Sequence, residues 1–135
     1  MPFYHSYGLN AFCFRAFAAP CTLIVMSKWD VKLALKLIPK YAPSFTDVFS
    51  VANPSLSTSR WKVSMLPLVP SMIHQLVNSA EWAKTDTSSI ETTASAAAFL
   101  PPELNVRFQS KLNSTFFQGY GSSEAVRARL FASRI

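Results

Sequence analysis

Glycine is scarce: there are three in 135 residues, where average usage near 7% would give about nine. Gly8, Gly119 and Gly121 lie near the two ends. That distribution excludes a collagen-like repeat, a Gly/Ser linker and a phosphate loop of the G-x-x-x-x-G-K type within the chain. Cysteine is sparse too. Cys13 and Cys21 have only His5 and His74 as further N/S donors, and no C-x-x-C pair, which argues against a structural zinc site. Buried reduced thiols and a reducing, cytoplasmic compartment are the expectation. No uninterrupted membrane-length run is present: Asn10, Arg15 and Pro20 break the apolar stretch from Leu9 to Met26, and no basic region precedes it as in a signal peptide. Acidic residues are few, 7 against 13 basic, for a net charge of +6. The last nine residues hold Arg127, Arg129 and Arg134 without an acid, and the rest is an ordinary solvated surface at +3. No nucleic-acid partner is expected from so thin a basic balance.

What is present is apolar patterning. Half the residues are hydrophobic, enough to fold, and the length allows one domain. Leu9, Phe12, Cys13, Ala16 and Phe17 fall at helical spacing and predict a buried helix that Pro20 ends. Thr22–Met26, rich in β-branched residues, predicts a strand buried on both faces. Asp30 predicts an N-cap, followed by a helix whose Lys32, Lys36 and Lys40 form a polar stripe while Val31, Leu33, Ala34, Leu35, Leu37 and Ile38 are buried. Further strands are expected at Val63–Val69, Ile90–Ala98 and Ser114–Gln118. Between them fall a helix capped by Ser71, reaching about Val77, and a helix opened by Pro101 and Pro102, with Leu104, Phe108 and Leu112 on its buried face. Strands alternating with helices predict an α/β fold with a parallel sheet, whose ligands sit beyond the carboxyl ends of its strands. Residues 42–61, with five serines and two prolines, show no helical or alternating period and stand apart from this pattern.

The residues best suited to chemistry follow the last expected strand: Gln118-Gly119-Tyr120-Gly121-Ser122-Ser123-Glu124. Glycines allow close backbone approach to a ligand, the serines offer hydroxyls to a phosphate, Tyr120 a flat face to a base, and Glu124 a carboxylate to Mg²⁺. A plain surface turn is the simpler reading of this stretch alone.

Its company is more specific. Pro2-Phe3-Tyr4-His5-Ser6-Tyr7-Gly8-Leu9, then Leu66-Pro67-Leu68-Val69-Pro70-Ser71-Met72, then Ser95-Ala96-Ala97-Ala98-Phe99-Leu100 precede it in order. This set resembles the adenylate-forming (AMP-binding) acyl-CoA synthetases, particularly the 4-coumarate–CoA ligase-like and medium-chain fatty acid branch. There the corresponding stretches read PxFHxYGL, a VPP-type turn, SGAAPL and QGYGxTE. The resemblance covers about 1–41 and 62–126.

It implies a fragment of the large N-terminal domain: part of a parallel sheet with its covering helices. It also implies ATP or AMP, Mg²⁺ and coenzyme A as cofactor and co-substrates, and a small carboxylic acid as substrate. By resemblance, His5 is the catalytic candidate at the mouth of the acyl pocket. Ala96, Ala97 and Ala98 are the backbone stretch along adenine and acyl group, and Tyr120 is the aromatic on adenine. Gln118, Gly119, Gly121 and Ser123 complete the nucleotide site, Ser123 standing for the usual threonine, and Glu124 is the metal ligand. His74, Arg15 and Trp82 are assigned to packing or surface.

Departures accompany the matches. The family's glycine is Ala96 and its proline Phe99. The phosphate loop and the lysine-bearing C-terminal domain of the family are not in the sequence, so the chain is expected to be inactive alone. A non-catalytic nucleotide-binding or interaction module is the alternative. Joining Tyr41 directly to Lys62 restores a continuous helix-to-strand run, which marks 42–61 as a non-matching insert, read as a retained intron; 127–135 is expected to be a divergent tail. Ser133-Arg134-Ile135 loosely resembles a peroxisomal S-K-L address. Acyl preference and oligomeric state are not readable.

Overall fold

The computed structural model describes residues 3–14, 17, 21–39, 63–121 and 129–133. Their centre is a four-stranded sheet in the order β1 (Met65–Leu68), β2 (Thr92–Ser95), β3 (Thr115–Tyr120) and β4 (Arg129–Ser133). β1, β2 and β3 are parallel, in the register Leu66–Thr93–Phe116 and Leu68–Ser95–Gln118. This is the partial parallel sheet expected of the α/β class. The tail adds something unforeseen: β4 runs antiparallel to β3, setting Tyr120 across from Arg129, so part of the expected divergent tail completes one edge of the sheet.

The helices explain themselves locally. α1 (Ser6–Gly8) continues into a π-helical stretch, Leu9–Phe14. α2 (Val31–Leu37) starts at Asp30, whose Oδ1 accepts the Leu33 amide at 2.9 Å, as its N-cap chemistry predicts. α3 (Pro70–Val77) has Val69 at its N-cap and Pro70 in its first turn. Ser71 therefore lies inside the helix rather than capping it, because proline's fixed φ and missing N–H already suit the first helical position. A short α4 (Ala80–Lys84) follows; no periodicity announces it. α5 (Pro102–Gln109) begins at the paired prolines.

All of α2–α5 contribute to one core. Leu35, Ile38, Met72, Ile73, Leu76, Trp82 and Phe108 pack with Leu68 and Phe116 of the sheet; Leu104 flanks them as the helical spacing predicts, and Leu112 does so from beyond the helix, which ends at Gln109 rather than reaching it. Phe108 is the keystone: its ring stacks on Trp82 at 5.6 Å and meets Phe116 edge-on at 6.3 Å. Lys111 straps α4 to this core, with its ammonium donating to the carbonyls of Trp82 and Thr85 and lying 4.9 Å from the Trp82 ring centroid. Desolvation at this half-buried position lowers the lysine pKa against the opposing pull of Asp86.

Residues before α2 depart most from expectation. Thr22–Met26 forms no strand, and Val25 is 56% exposed. A run of β-branched residues becomes a buried strand only with a ladder neighbour and a covering layer, and the described sheet places neither around it. Leu9, Phe14 and Phe17 are likewise exposed rather than forming a buried helical face, and so is Leu33 of α2. Cys21 is an exposed free thiol and Cys13 a half-buried one, so neither is the fully buried thiol expected. No described helix is long and apolar enough to cross a membrane.

Candidate functional site

The four motifs are scattered across the sequence, and β-α-β connectivity returns them to one end of the sheet. β1 ends at Leu68, β2 at Ser95, and Gln118 lies beside Ser95 in β3. One atom joins three of the motifs. The Leu68 carbonyl accepts the Tyr7 hydroxyl at 3.3 Å and the Ala96 amide at 3.4 Å. The first motif is thus pinned to the second, and the second to the third. The fourth is held beside the third through the Ser95–Gln118 register.

Tyr7 is half-buried at this junction, and desolvation raises its phenol pKa to about 12. The neutral phenol is the form that can donate to Leu68. His5, two residues earlier, caps α1: its Nδ1 accepts the Tyr7 amide at 3.2 Å. A nitrogen accepting from N–H is unprotonated, which places the ring proton of the neutral tautomer on Nε2.

His5 and Ala97 meet across a cleft of about 320 Å³, with Trp29, Val69, Ser71, Met72 and Gln75 as its other walls. Trp29 Nε1 donates to Gln75 Oε1 at 2.8 Å, tying the segment before α2 to α3. A larger hollow of about 510 Å³ lies at the opposite ends of β2 and β3, between Glu91, Gln109 and Ser114. Size does not decide between them. Ligands of parallel sheets bind beyond the carboxyl ends of the strands, and only the smaller cleft is at that end and touches motif residues.

Sequence-expected residues fall into three groups. His5 and Ala97 line the cleft. Ala96, Ala98, Gln118, Gly119, Tyr120 and Gly121 lie on the neighbouring strand ends, with Tyr120 exposing 72% of its surface, so its ring is free to take a stacking partner. Ser123 and Glu124, with Ser122, lie outside the described residues, so the metal ligand assigned by resemblance is not placed. No group of three or more potential metal-ligating side chains occurs among the described residues. His74 faces solvent and bonds Asn78 at 3.0 Å, and Trp82 is core, as expected of both.

Sequence reasoning missed the walls supplied by Trp29 and Gln75, since nothing in their spacing relates two residues 46 apart. It also missed the left-handed turn at Ala97, where φ is 73°. The family's glycine stands at Ala96, and the positive φ lies at the residue after it.

Comparison with known proteins gives this geometry a context. The family model described as AMP-binding enzyme matches residues 48–130. Among curated relatives, 4-coumarate–CoA ligase 1 of Petroselinum crispum is 32% identical over 126 residues, which is 93% of this chain and 20% of the relative. 4-coumarate–CoA ligase 1 of Arabidopsis thaliana is 30% identical over 93% of this chain and 19% of its own length. The chain therefore spans about a fifth of the length of the curated relatives it matches. Among solved structures, the inhibitor-bound N-terminal domain of FACL13 from Mycobacterium tuberculosis superposes with a TM-score of 0.67 at 20% identity, covering 92% of this chain and 26% of that one. The ATP-bound RpMatB-BxBclM chimera B1 gives 0.70 at 20% identity, covering 92% and 20%. These structures share the fold, and the family model covers more than half of the chain: it belongs to the AMP-binding enzyme family.

Proposed function

We propose that this chain is the nucleotide- and acyl-facing part of an acid–CoA ligase, competent to bind an adenine nucleotide and inactive alone. In the reaction of such a ligase a carboxylate attacks the α-phosphate of ATP, releasing pyrophosphate. The thiol of coenzyme A then attacks the acyl carbon and AMP leaves. The observation that carries the reading is the convergence of all four motifs on the Leu68 carbonyl and the adjoining strand ends.

Each residue supports a definite part of that chemistry. Tyr120 offers its exposed ring to adenine, and the Ala96–Ala98 backbone, whose Ala97 lines the cleft, is proposed to lie along the adenine and acyl groups. His5 faces the apolar cleft where an acyl chain would lie, with Nε2–H available to a carboxylate oxygen. Mg²⁺ would offset charge on the phosphates; Glu124 is the carboxylate proposed to hold it. Phosphate-gripping donors and a general cation are supplied in the family by segments that do not match this sequence, which is why no adenylation is expected from it.

Titration calorimetry with AMP tests the binding part. Binding that weakens about tenfold in Tyr120→Ala is expected, since base–aromatic stacking contributes about 1–3 kcal/mol per base. Absence of AMP binding by the unmodified chain would sink the reading. ATP–pyrophosphate exchange, assayed with 4-coumarate and with hexanoate, is expected to be nil; measurable exchange would refute inactivity. The same pair of measurements separates a non-catalytic nucleotide-binding module from a ligase fragment with residual chemistry.

A further inference from the structure

The turn that closes β2 carries two local costs within three residues. Ser95, its last residue, is 1% exposed and its Oγ has no hydrogen-bond partner. A buried hydroxyl in that state retains the desolvation penalty without the compensating bond. The other buried hydroxyl of β2 does better: Thr93 Oγ1 pairs with Ser114 Oγ at 3.3 Å. Two residues beyond Ser95, Ala97 adopts φ 73°, and it is the only non-glycine residue with positive φ among those described. Alanine in that region brings its Cβ too close to a carbonyl oxygen.

Ala97 and Ala98 are exposed, and the turn is fastened to β1 by a long Ala96–Leu68 hydrogen bond of 3.4 Å. Serine chemistry supplies a second arrangement. A serine Oγ readily accepts from the backbone N–H two residues on, here that of Ala97, when the intervening turn has negative φ values. A single rotation of the turn would therefore pair the hydroxyl and remove the Cβ clash together. Ala97 also lines the cleft opposite His5, so that rotation would reshape the wall of the site.

We infer that the Ser95–Ala98 turn is a two-state element seen here in its strained state, and that Ser95 is a positioning residue setting where the Ala96–Ala98 backbone meets an adenylate-type ligand. The positioning role rests on the function proposed above; the two-state turn does not. Strain of this kind persists where the surroundings over-determine it, commonly at ligand sites.

Thermal unfolding of the full chain tests the turn without any ligand. Ala97→Gly and Ser95→Ala are each expected to raise the Tm, by about 2–4 °C, whereas Ala98→Gly, a neighbour with no such strain, is expected to lower it. An Ala97→Gly protein no more stable than Ala98→Gly would overturn the strained turn, as would a fall in Tm on Ser95→Ala. AMP titration then tests positioning. Ser95→Ala should weaken AMP binding about five- to tenfold while raising the Tm, a combination that a purely structural serine does not produce. Unchanged affinity would refute the positioning role and leave the proposed function standing. If the unmodified chain binds no AMP, the function and the positioning role fall together, and the melts alone decide the turn.

Discussion

Residues 63–121 and residues 3–39 carry the same kind of sequence, apolar runs broken by single polar residues, yet they end up differently packed. The first stretch contributes most of the core, with Phe108, Phe116, Leu76 and Ile73 fully buried. The second leaves Phe14, Phe17, Ile24 and Val25 at the surface, and joins the rest through a few definite contacts: Tyr7 to Leu68, Trp29 to Gln75, and Leu35 and Ile38 in the core. The difference is one of partners, not composition. An apolar side chain stabilises a fold by the surface it removes from water, and Phe17, 89% exposed, removes almost none.

The sharpest test of that contrast is a pair of truncations. Phe108→Ala removes a fully buried ring from between Trp82 and Phe116 and should destabilise by about 3–5 kcal/mol. Phe17→Ala should fall within about ±0.5 kcal/mol. Urea unfolding midpoints of comparable size for the two variants would break the distinction.

Tyr7 is one of the places where the residues before α2 are fastened to the sheet, and its titration probes the fastening. Its pKa is raised from the ordinary 10.0 to about 12, so the folded state favours the neutral phenol. The associated stability is fully present below pH 10 and drains away as pH climbs toward 12. At most about 2–3 kcal/mol is at stake. Denaturant unfolding of wild type and Tyr7→Phe at intervals from pH 9 to 12 should show the wild-type curve falling more steeply; parallel curves would mean the phenol is not held as described.

A third, smaller effect concerns the join between the two stretches. The Ile38 carbonyl accepts the Val63 amide at 3.2 Å, so the described residues on either side of 40–62 lie next to one another. Joining Tyr41 to Lys62 by deleting 42–61 should therefore leave the fold intact. It should raise stability by about 1.5 kcal/mol, because a shorter loop costs less entropy to close. A deletion protein that fails to unfold cooperatively would show that 42–61 belongs to the fold.

Legibility in the sequence followed the same divide. Leu104 and Phe108, and the prolines at 101 and 102, announced α5 because helical period and proline geometry are local properties, whereas the helix stops short of Leu112. The three parallel strands were legible too, because a short apolar run is likewise a local property. Thr22–Met26 was misread because burial on both faces depends on neighbours that no apolar run can specify. α4 is too short to show a period, and the pairing of β4 with β3 is a long-range choice. At the site, ordered motifs were readable as words, but the Ala97 turn was not: alanine carries no signal for positive φ, and only the surrounding backbone imposes it.

The Leu68 carbonyl oxygen has two lone pairs, and Tyr7 and Ala96 use both. Two donors on one acceptor are not independent, because each polarises the oxygen that the other relies on. Whatever loosens the amino-terminal motif thus changes the hold on the turn after β2, and the reverse is equally true. A disturbance that begins at His5 or at Ala97 can in this way be felt by the other without crossing the cleft between them.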